Sequence, residues 1–493
     1  MIIKSTPDHV SSDEVVLFPF DDHSIPFQYG VRLRLEGYKA SVDRTRIVVG
    51  PGERGTPDSE RVIYYGSVQR VGDELWMWYL GHGTAEEGGK AWHERVCLAT
   101  SRDGYHWEKP DLGLVEYHGS KHNNLVDILD GQQHHIQACV VFHDPDEADA
   151  SRRFKVVIET DKYPGTKFAV AFSADGLTWH EPERQPDKIS CEMSGGTKFN
   201  GCYYLTGHSA GSHFGAPRQL VTFASYDFEN WIEASCLGFR RDAVPPRPMI
   251  YGFAQGEQVH LGAGLWNRGN VILGLYGQWH GPENDDRRHV DMDLGLVVSN
   301  DALHYREPIP DFRMVAAAED GMEHLPGSMN FKFAGHCQGQ GFENIGDETL
   351  FWYAPWPEQL SDGVRVASWP RDRLGYFQPF PLDKPKQRTC HVISAPIFTE
   401  AADGADLQVA VNADGLSEHA QLAVELLDER FVPLPGYAAG DCDPMESGLR
   451  QRVSWGGRST VSGVEGAFRV RVNFAGLRPE DPKLYAIYVE RAA

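Results

Sequence analysis

Short apolar runs separated by turn residues fill most of the chain, and this pattern predicts strands rather than helices. The run 75–80 (LWMWYL) is typical: Trp76, Trp78 and Leu80 alternate with Met77 and Tyr79, as in a strand that packs on both faces. The chain also contains 51 Gly and 30 Pro, which supply many turns. We therefore expect an all-β protein.

One turn sequence occurs five times along the chain. It is clearest at 101–107 (SRDGYHW) and 173–179 (SADGLTW), looser at 225–231 and 299–305, and degenerate at 370–376. In each copy an Asp is followed four residues later by an aromatic ring, and successive aspartates are 72, 52, 74 and 71 residues apart. Asp can accept hydrogen bonds from its own turn and Gly can take a positive φ, so each copy predicts a tight reversal between two strands. The five aspartates are therefore expected to be structural: Asp103, Asp175, Asp227, Asp301 and Asp372.

The spacing of the repeat favours four-stranded blades with long connections, which is typical of a β-propeller. Beyond residue 385 the repeat stops, and runs of period two such as 406–412 and 484–489 predict a β-sandwich. We predict an N-terminal segment packing on the propeller, a five-bladed β-propeller and a C-terminal β-sandwich, at residues 1–60, 61–385 and 390–493.

The net charge and the composition exclude some classes of binding partner and indicate a cellular location. The net charge of −23 argues against nucleic acid and anionic membranes, since both need basic surfaces. There is no apolar N-terminal run and no stretch long enough to span a membrane. The eight Cys show neither metal-site nor disulfide-framework spacing, so we expect a cytoplasmic protein. The sequence leaves the oligomeric state open, a homo-oligomer included.

Two segments carry a family resemblance. The blade turn 98–110 (LATSRDGYHWEKP) and the strand 407–412 (LQVAVN) resemble those of invertase- and fructanase-like glycoside hydrolases, in which a five-bladed propeller precedes a β-sandwich. Arabinanase-like and mannoside-phosphorylase-like families share the propeller. The resemblance covers roughly residues 60–490. It implies a carbohydrate substrate and an axial pocket where the inner strands of the blades begin.

The resemblance also implies acidic residues at the starts of the first three inner strands. Only the third is kept, as Glu192, whereas Tyr64-Tyr65 and His134-His135 occupy the first two positions. Glu192 is therefore expected to be the general acid, with its pKa raised by desolvation.

Glu257 opens the fourth inner strand and is predicted to be the partner carboxylate of Glu192. Such a pair works either about 5 Å apart or about 7–9 Å apart with a water between the two groups. Substrate binding is assigned to other polar and aromatic residues of the inner strands: Tyr65, His135, His260, Trp266, Asn267, Arg268, His336 and Gln338.

Three other functions stay open at this stage. A glycoside phosphorylase or transglycosylase needs one acid and an anion pocket, for which His135, His260 and Arg268 are available. The missing first carboxylate suits a non-catalytic carbohydrate-binding propeller, while a metal-dependent lyase or isomerase could use the histidines. Tyr65 beside a Glu could also act as nucleophile in sialidase-type chemistry. No cofactor and no metal are predicted, and Asp144 is expected to cap a turn.

Overall fold

A computed structural model describes most of the chain, and nearly all of its regular elements are strands. The described residues are 2–3, 10–11, 14–39, 47–83, 93–163, 168–186, 189, 191–208, 218–242, 254–284, 286–320, 334–356, 363–380, 389–399, 406–464 and 466–492. The helical elements within these ranges are short: α1 (Leu129–Gln132) and the 3-10 turns Ala150–Arg152, Arg287–His289 and Ala317–Asp320. The prediction of an all-β protein is confirmed.

Six short strands precede the first repeat. They are β1 (Ile2–Ile3), β2 (Val10–Ser11), β3 (Glu14–Leu17), β4 (Phe27–Tyr29), β5 (Val31–Leu35) and β6 (Ile47–Val49).

Residues 61–370 form five antiparallel units that follow one another along the chain. Unit one contains β7 (Arg61–Val71), β8 (Glu74–His82), β9 (Glu94–Ser101) and β10 (Trp107–Glu108). Unit two contains β11 (Ile136–His143), β12 (Phe154–Thr160) and β13 (Phe168–Ser173). Unit three contains β14 (Glu192–Phe199), β15 (Cys202–His208), β16 (Leu220–Ser225) and β17 (Cys236–Phe239).

The last two units have the same antiparallel order. Unit four contains β18 (Glu257–Asn267), β19 (Ile272–His280), β20 (Asp291–Ser299) and β21 (Arg313–Val315). Unit five contains β22 (Ala334–Ile345), β23 (Glu348–Pro355) and β24 (Val364–Pro370), and β6 from the N-terminal segment pairs with β24 as a fourth strand.

The first strands of the five units contact one another in succession, and β22 of unit five returns to β7 of unit one. Tryptophans in the second strands join neighbouring units. Trp78 Nε1 donates to the carbonyl of Gly176 at 3.0 Å, and Trp352 Nε1 donates to that of Gly104 at the same distance. The second of these bonds links unit five to unit one, so the described parts of the units form a nearly closed ring.

The recurring turn has the predicted hydrogen bonds. Asp103 Oδ1 accepts from the backbone N–H groups of Tyr105 and His106, at 2.9 and 2.8 Å. Gly104 takes a φ of 76°. The corresponding aspartates of the next three copies accept the same two bonds, which confirms the Asp-capped reversal.

The rest of the chain forms two further sheets. Their strands are β25 (Gly375–Pro379), β26 (Cys390–Ile393), β27 (Ile397–Thr399), β28 (Leu407–Asp414), β29 (Ala420–Leu427), β30 (Gly448–Arg452), β31 (Gly466–Gly476) and β32 (Lys483–Arg491). Strands β3, β4 and β5 pair with β32, β26 and β25, so most of the N-terminal segment is built into these sheets. Buried residues of both sheets share one core, with Val409 and Ile487 from one sheet and Val424 and Val472 from the other.

All eight cysteines are free thiols. Among the described residues, no helix is long and apolar enough to cross a membrane.

Candidate active site

Residue Glu192, at the start of β14, lies opposite His208, the last residue of β15. The backbone N–H of Leu261 donates to His208 Nδ1 at 2.6 Å. Because Nδ1 is then an acceptor, the proton of the neutral ring is on Nε2, which faces Glu192 Oε2 at 3.2 Å. A fully buried histidine therefore orients the carboxylate.

The electrostatics of Glu192 differ from the sequence-based expectation. Burial raises its pKa, but the hydrogen bond from His208, the positive charge that His208 and His260 can carry, and the charge of Arg218 outweigh burial and lower the pKa to about 2. The expected upward shift is therefore wrong in direction. Glu192 is ionised at neutral pH, which suits a base or a nucleophile rather than a proton donor.

A backbone bulge in β18 positions the Leu261 N–H group that donates to His208. The pairing of β18 with β19 shifts register between His260 and Ala263, and in between Leu261 has a φ of 59° and Gly262 a φ of 83°. A Cβ on Gly262 would lie 2.7 Å from the backbone nitrogen of Gly207. Positive φ is costly for a branched residue such as leucine. The strained bulge turns the Leu261 N–H toward unit three, where His208 accepts it.

Aromatic rings surround His260, which is almost fully buried. Its ring centroid is 4.6 Å from Trp356, 5.9 Å from Trp279, 6.3 Å from Tyr65 and 5.7 Å from His208. Aromatic walls with a few fixed polar groups are typical of small-molecule sites.

Tyr65 contributes a buried hydroxyl that lies beside the Cys337 thiol and has no nitrogen or oxygen partner among the described residues. Burial raises its pKa well above the usual range; Cys337, Glu192 and Glu94 act in the same direction and Arg61 opposes them. The hydroxyl therefore keeps its proton and can donate to a bound group.

His135 of unit two contacts Glu94 of unit one. The preceding turn α1 is left-handed, and Gln132 fixes it by bonding the backbone of β9. His135 Nδ1 accepts from the backbone N–H of Glu94 at 3.2 Å, and its Nε2 is 4.0 Å from Glu94 Oε2.

Glu257, the predicted partner carboxylate, has other neighbours. It accepts from Arg241 Nη2 at 2.6 Å and lies 2.9 Å from His280 Nδ1. Its side chain and that of His260 are three positions apart on β18 and so lie on opposite faces of the strand. Glu257 shares no partner with Glu192 in the part of the chain that the structure describes.

Trp266 and Asn267 lie at the other end of β18, beside a cavity of about 390 Å³, and Arg268 follows them. The Trp266 ring stacks on Phe342 at 5.1 Å and carries the Arg268 guanidinium at 4.4 Å. Asn267 Nδ2 donates to a backbone carbonyl of β14 at 2.8 Å. Arg268 pairs with the buried Asp372. The structure does not bring these three predicted binding residues to Glu192.

The side chains of Gln338 and His336 are fully buried. Gln338 Nε2 donates to the carbonyls of His260 and Gly262, at 2.6 and 2.9 Å, so this amide ties β22 to the bulge of β18. The His336 ring packs 4.8 Å from that of Tyr353. Within the described ranges, no group of three or more His, Cys, Asp or Glu side chains is arranged to hold a metal ion.

Sequence reasoning missed His208, Trp279, Trp356 and Glu94. One signal could have found His208. Asn200-Gly201 forms a two-residue turn with positive φ at both positions, which is the strongest short hairpin signal. Counting back from this turn places His208 opposite Met193, and the register shift between Met193 and Gly195 moves it by one residue to Glu192.

Comparisons with known proteins find solved structures that are similar to this chain at low sequence identity. No family model matches the chain, and no curated protein matches it. It is similar to the solved structure of a glycosyl hydrolase from Bacteroides ovatus, at 14% identity and a TM-score of 0.45, covering 69% of this chain and 95% of that one. It is also similar to a structure described under the GH130 family of mannoside phosphorylases (13%, TM-score 0.45, covering 71% and 97%).

A third structure is an exo-β-1,3-galactanase from Phanerochaete chrysosporium with galactose (9%, TM-score 0.36, covering 90% and 99%). At these identities and TM-scores the neighbours fix neither a family nor an activity for this chain.

Proposed function

We propose that the chain is a glycoside hydrolase-like enzyme that cleaves a small glycoside or oligosaccharide. In this proposal the ring of five units is a five-bladed β-propeller, its axial pocket is the active site, and the C-terminal sheets are an accessory β-sandwich. The observation that carries the proposal is the Glu192 carboxylate, ionised and held by His208 next to the aromatic rings around His260.

Glycoside cleavage needs two carboxyl groups with different protonation states. One must be a carboxylate that attacks the anomeric carbon or takes a proton from the attacking water, and Glu192 is in that state at neutral pH. The His208 bond keeps the carboxylate pointed at one place. Indole and imidazole rings can pack on the apolar face of a sugar, and Tyr65 supplies a hydroxyl donor.

Phosphorolysis is the second candidate, because cationic side chains lie close to the site. Arg218 stacks on Trp279 at 5.1 Å and acts on Glu192, and Arg61 acts on Tyr65. Phosphate would then attack the sugar in place of water. The eight free thiols fit a reducing cytoplasm, which we propose as the location.

The test is a panel of 4-nitrophenyl glycosides and unmodified oligosaccharides, assayed with and without inorganic phosphate. Wild-type protein is expected to turn over one sugar class, and Glu192→Gln to reduce kcat by about 10²–10⁴-fold, the usual contribution of a positioned acid or base. Glu74→Gln is the matched control, since Glu74 begins β8 at the other end of unit one and pairs with exposed Arg102. Turnover that requires phosphate identifies the phosphorylase, and full activity in Glu192→Gln would contradict both candidates.

A further inference from the structure

Hydrolysis at Glu192 requires a second carboxyl group that gives up a proton, and the first strand of unit one offers none. Position 65, where that strand enters the site, holds the buried Tyr65 hydroxyl. Two acidic groups act electrostatically on this hydroxyl, Glu192 from unit three and, more weakly, Glu94 from unit one.

Strand register places Glu94 at the same end of the ring as Glu192. Arg61, the first residue of β7, pairs with His82, which pairs in turn with Glu94. Glu94, on the third strand of unit one, therefore lies level with the start of the first strand. Its side chain is nine-tenths buried.

The surroundings of Glu94 repeat the arrangement at Glu192. In each case a histidine Nδ1 accepts a backbone N–H, so the Nε2–H is left on the side of a carboxylate. For Glu192 the ring is His208, with a separation of 3.2 Å; for Glu94 it is His135, with a separation of 4.0 Å. The longer separation leaves Glu94 less strongly held by its histidine.

We propose that Glu94 is the second carboxyl group of the site and protonates the leaving oxygen, while the Tyr65 hydroxyl donates to the sugar between the two carboxyl groups. This inference rests on the proposed glycosidase function. The bond from the anomeric carbon to the glycosidic oxygen breaks, its electron pair goes to that oxygen, and the oxygen takes the proton of Glu94. Water then supplies the hydroxyl of the product, and its proton returns to a carboxylate of the site.

The experiment compares two substrates of one sugar, a 2,4-dinitrophenyl glycoside and a methyl glycoside. A dinitrophenolate leaves without protonation, whereas a methoxide does not. Glu94→Gln is expected to lower kcat/KM for the methyl glycoside at least about 100-fold and for the dinitrophenyl glycoside less than about 10-fold. Glu192→Gln is expected to lower both, and Glu74→Gln neither.

Equal losses on the two substrates, or no loss, in Glu94→Gln would overturn the role of Glu94 while leaving the proposed function in place. A leaving-group effect in Glu257→Gln instead would assign the proton to Glu257. If wild-type protein turns over no glycoside, the proposed function fails. Calorimetry with 1-deoxynojirimycin and 1-deoxymannojirimycin then tests whether Glu94 and Glu192 form the carboxyl pair of one binding site. Binding that weakens at least about 10-fold in both Glu94→Gln and Glu192→Gln supports the pair, and binding unaffected by Glu94→Gln, or absent in wild type, overturns it.

Discussion

At the scale of single residues, the site depends on which nitrogen of His208 carries the proton. The Leu261 N–H occupies Nδ1, so the ring donates to Glu192 through Nε2. A buried carboxylate without this donor would resist ionisation more strongly. One backbone bond in unit four therefore fixes which nitrogen of His208 faces the acid in unit three.

Replacing His208 tests this dependence. His208→Phe is expected to raise the pKa of Glu192 from about 2, because burial remains when the hydrogen bond is lost. The acidic limb of the kcat/KM–pH profile should move to higher pH by at least about 2 units. His208→Gln can both accept the Leu261 N–H and donate, so it should keep most of the wild-type profile. Identical acidic limbs in wild type and His208→Phe would contradict the assignment.

The same pair has a stability signature with a definite sign. The folded-state pKa of Glu192 lies below its ordinary value of 4.5, so the pair stabilises the fold above about pH 4.5 and loses this contribution as the pH falls toward 2. Urea midpoints measured at pH 6 and pH 3 should therefore differ less for His208→Phe than for wild type, whereas His208→Gln, which keeps the hydrogen bond, should show nearly the wild-type difference.

At the scale of elements, close backbone approaches decide where the site residues lie. A Cβ on Gly195 would be 2.1 Å from the Ala263 carbonyl, so β14 and β18 touch through their main chains. Thr206 Oγ1 donates to the same carbonyl at 2.8 Å. This contact brings the end of β15 to the bulge of β18, where His208 meets Leu261.

Replacing Gly195 with alanine is expected to force units three and four apart. We expect a loss of roughly 1–3 kcal/mol or more in the free energy of unfolding, the usual cost of overpacking, and lower activity because Glu192 is three residues away on the same strand. Chemical denaturation and kcat/KM measure the two effects. Gly440→Ala is the control, because a Cβ at that position meets nothing within 4 Å. A Gly195→Ala protein as stable as this control would contradict the close approach.

The elements were largely predictable from the sequence, whereas the directions of their side chains were not. The Asp-capped turns repeat in the sequence, and the structure contains the strands that these turns are predicted to join. Trp266 to Arg268 were assigned to the site because they follow the fourth inner strand, but β18 is 11 residues long, so its ends are about 30 Å apart. The only sequence signal of the bulge at Leu261 is Gly262, and the bulge changes the face that the residues after it occupy. Glu94 lies on a third strand, whereas the family resemblance predicts acidic residues on first strands alone.

At the scale of the whole molecule, one buried network connects the ring with the C-terminal sheets. Asp372, between β24 and β25, pairs with Arg268 of unit four and accepts from Asn344 of unit five at 3.0 Å and from Tyr488 of β32 at 2.7 Å. The Arg268 pair and these hydrogen bonds lower the pKa of Asp372 although burial acts upward. The aspartate of the fifth turn copy thus has a different structural role from the aspartates of the other four copies.

Arg268→Met separates this structural role from the substrate binding first assigned to Arg268. The substitution leaves Asp372, whose side chain is 1% exposed, without its cation, and breaking such a buried pair costs about 3–5 kcal/mol. We expect a lower urea midpoint at pH 7, a smaller difference from wild type at pH values low enough to protonate Asp372, and an unchanged kcat/KM. Arg430→Met, at an exposed position, is the control. A reduced kcat/KM at unchanged stability would instead place Arg268 in a substrate site, at the end of the ring away from Glu192. An unchanged kcat/KM with lost stability would mean that unit four, unit five and the C-terminal sheets hold together through Asp372.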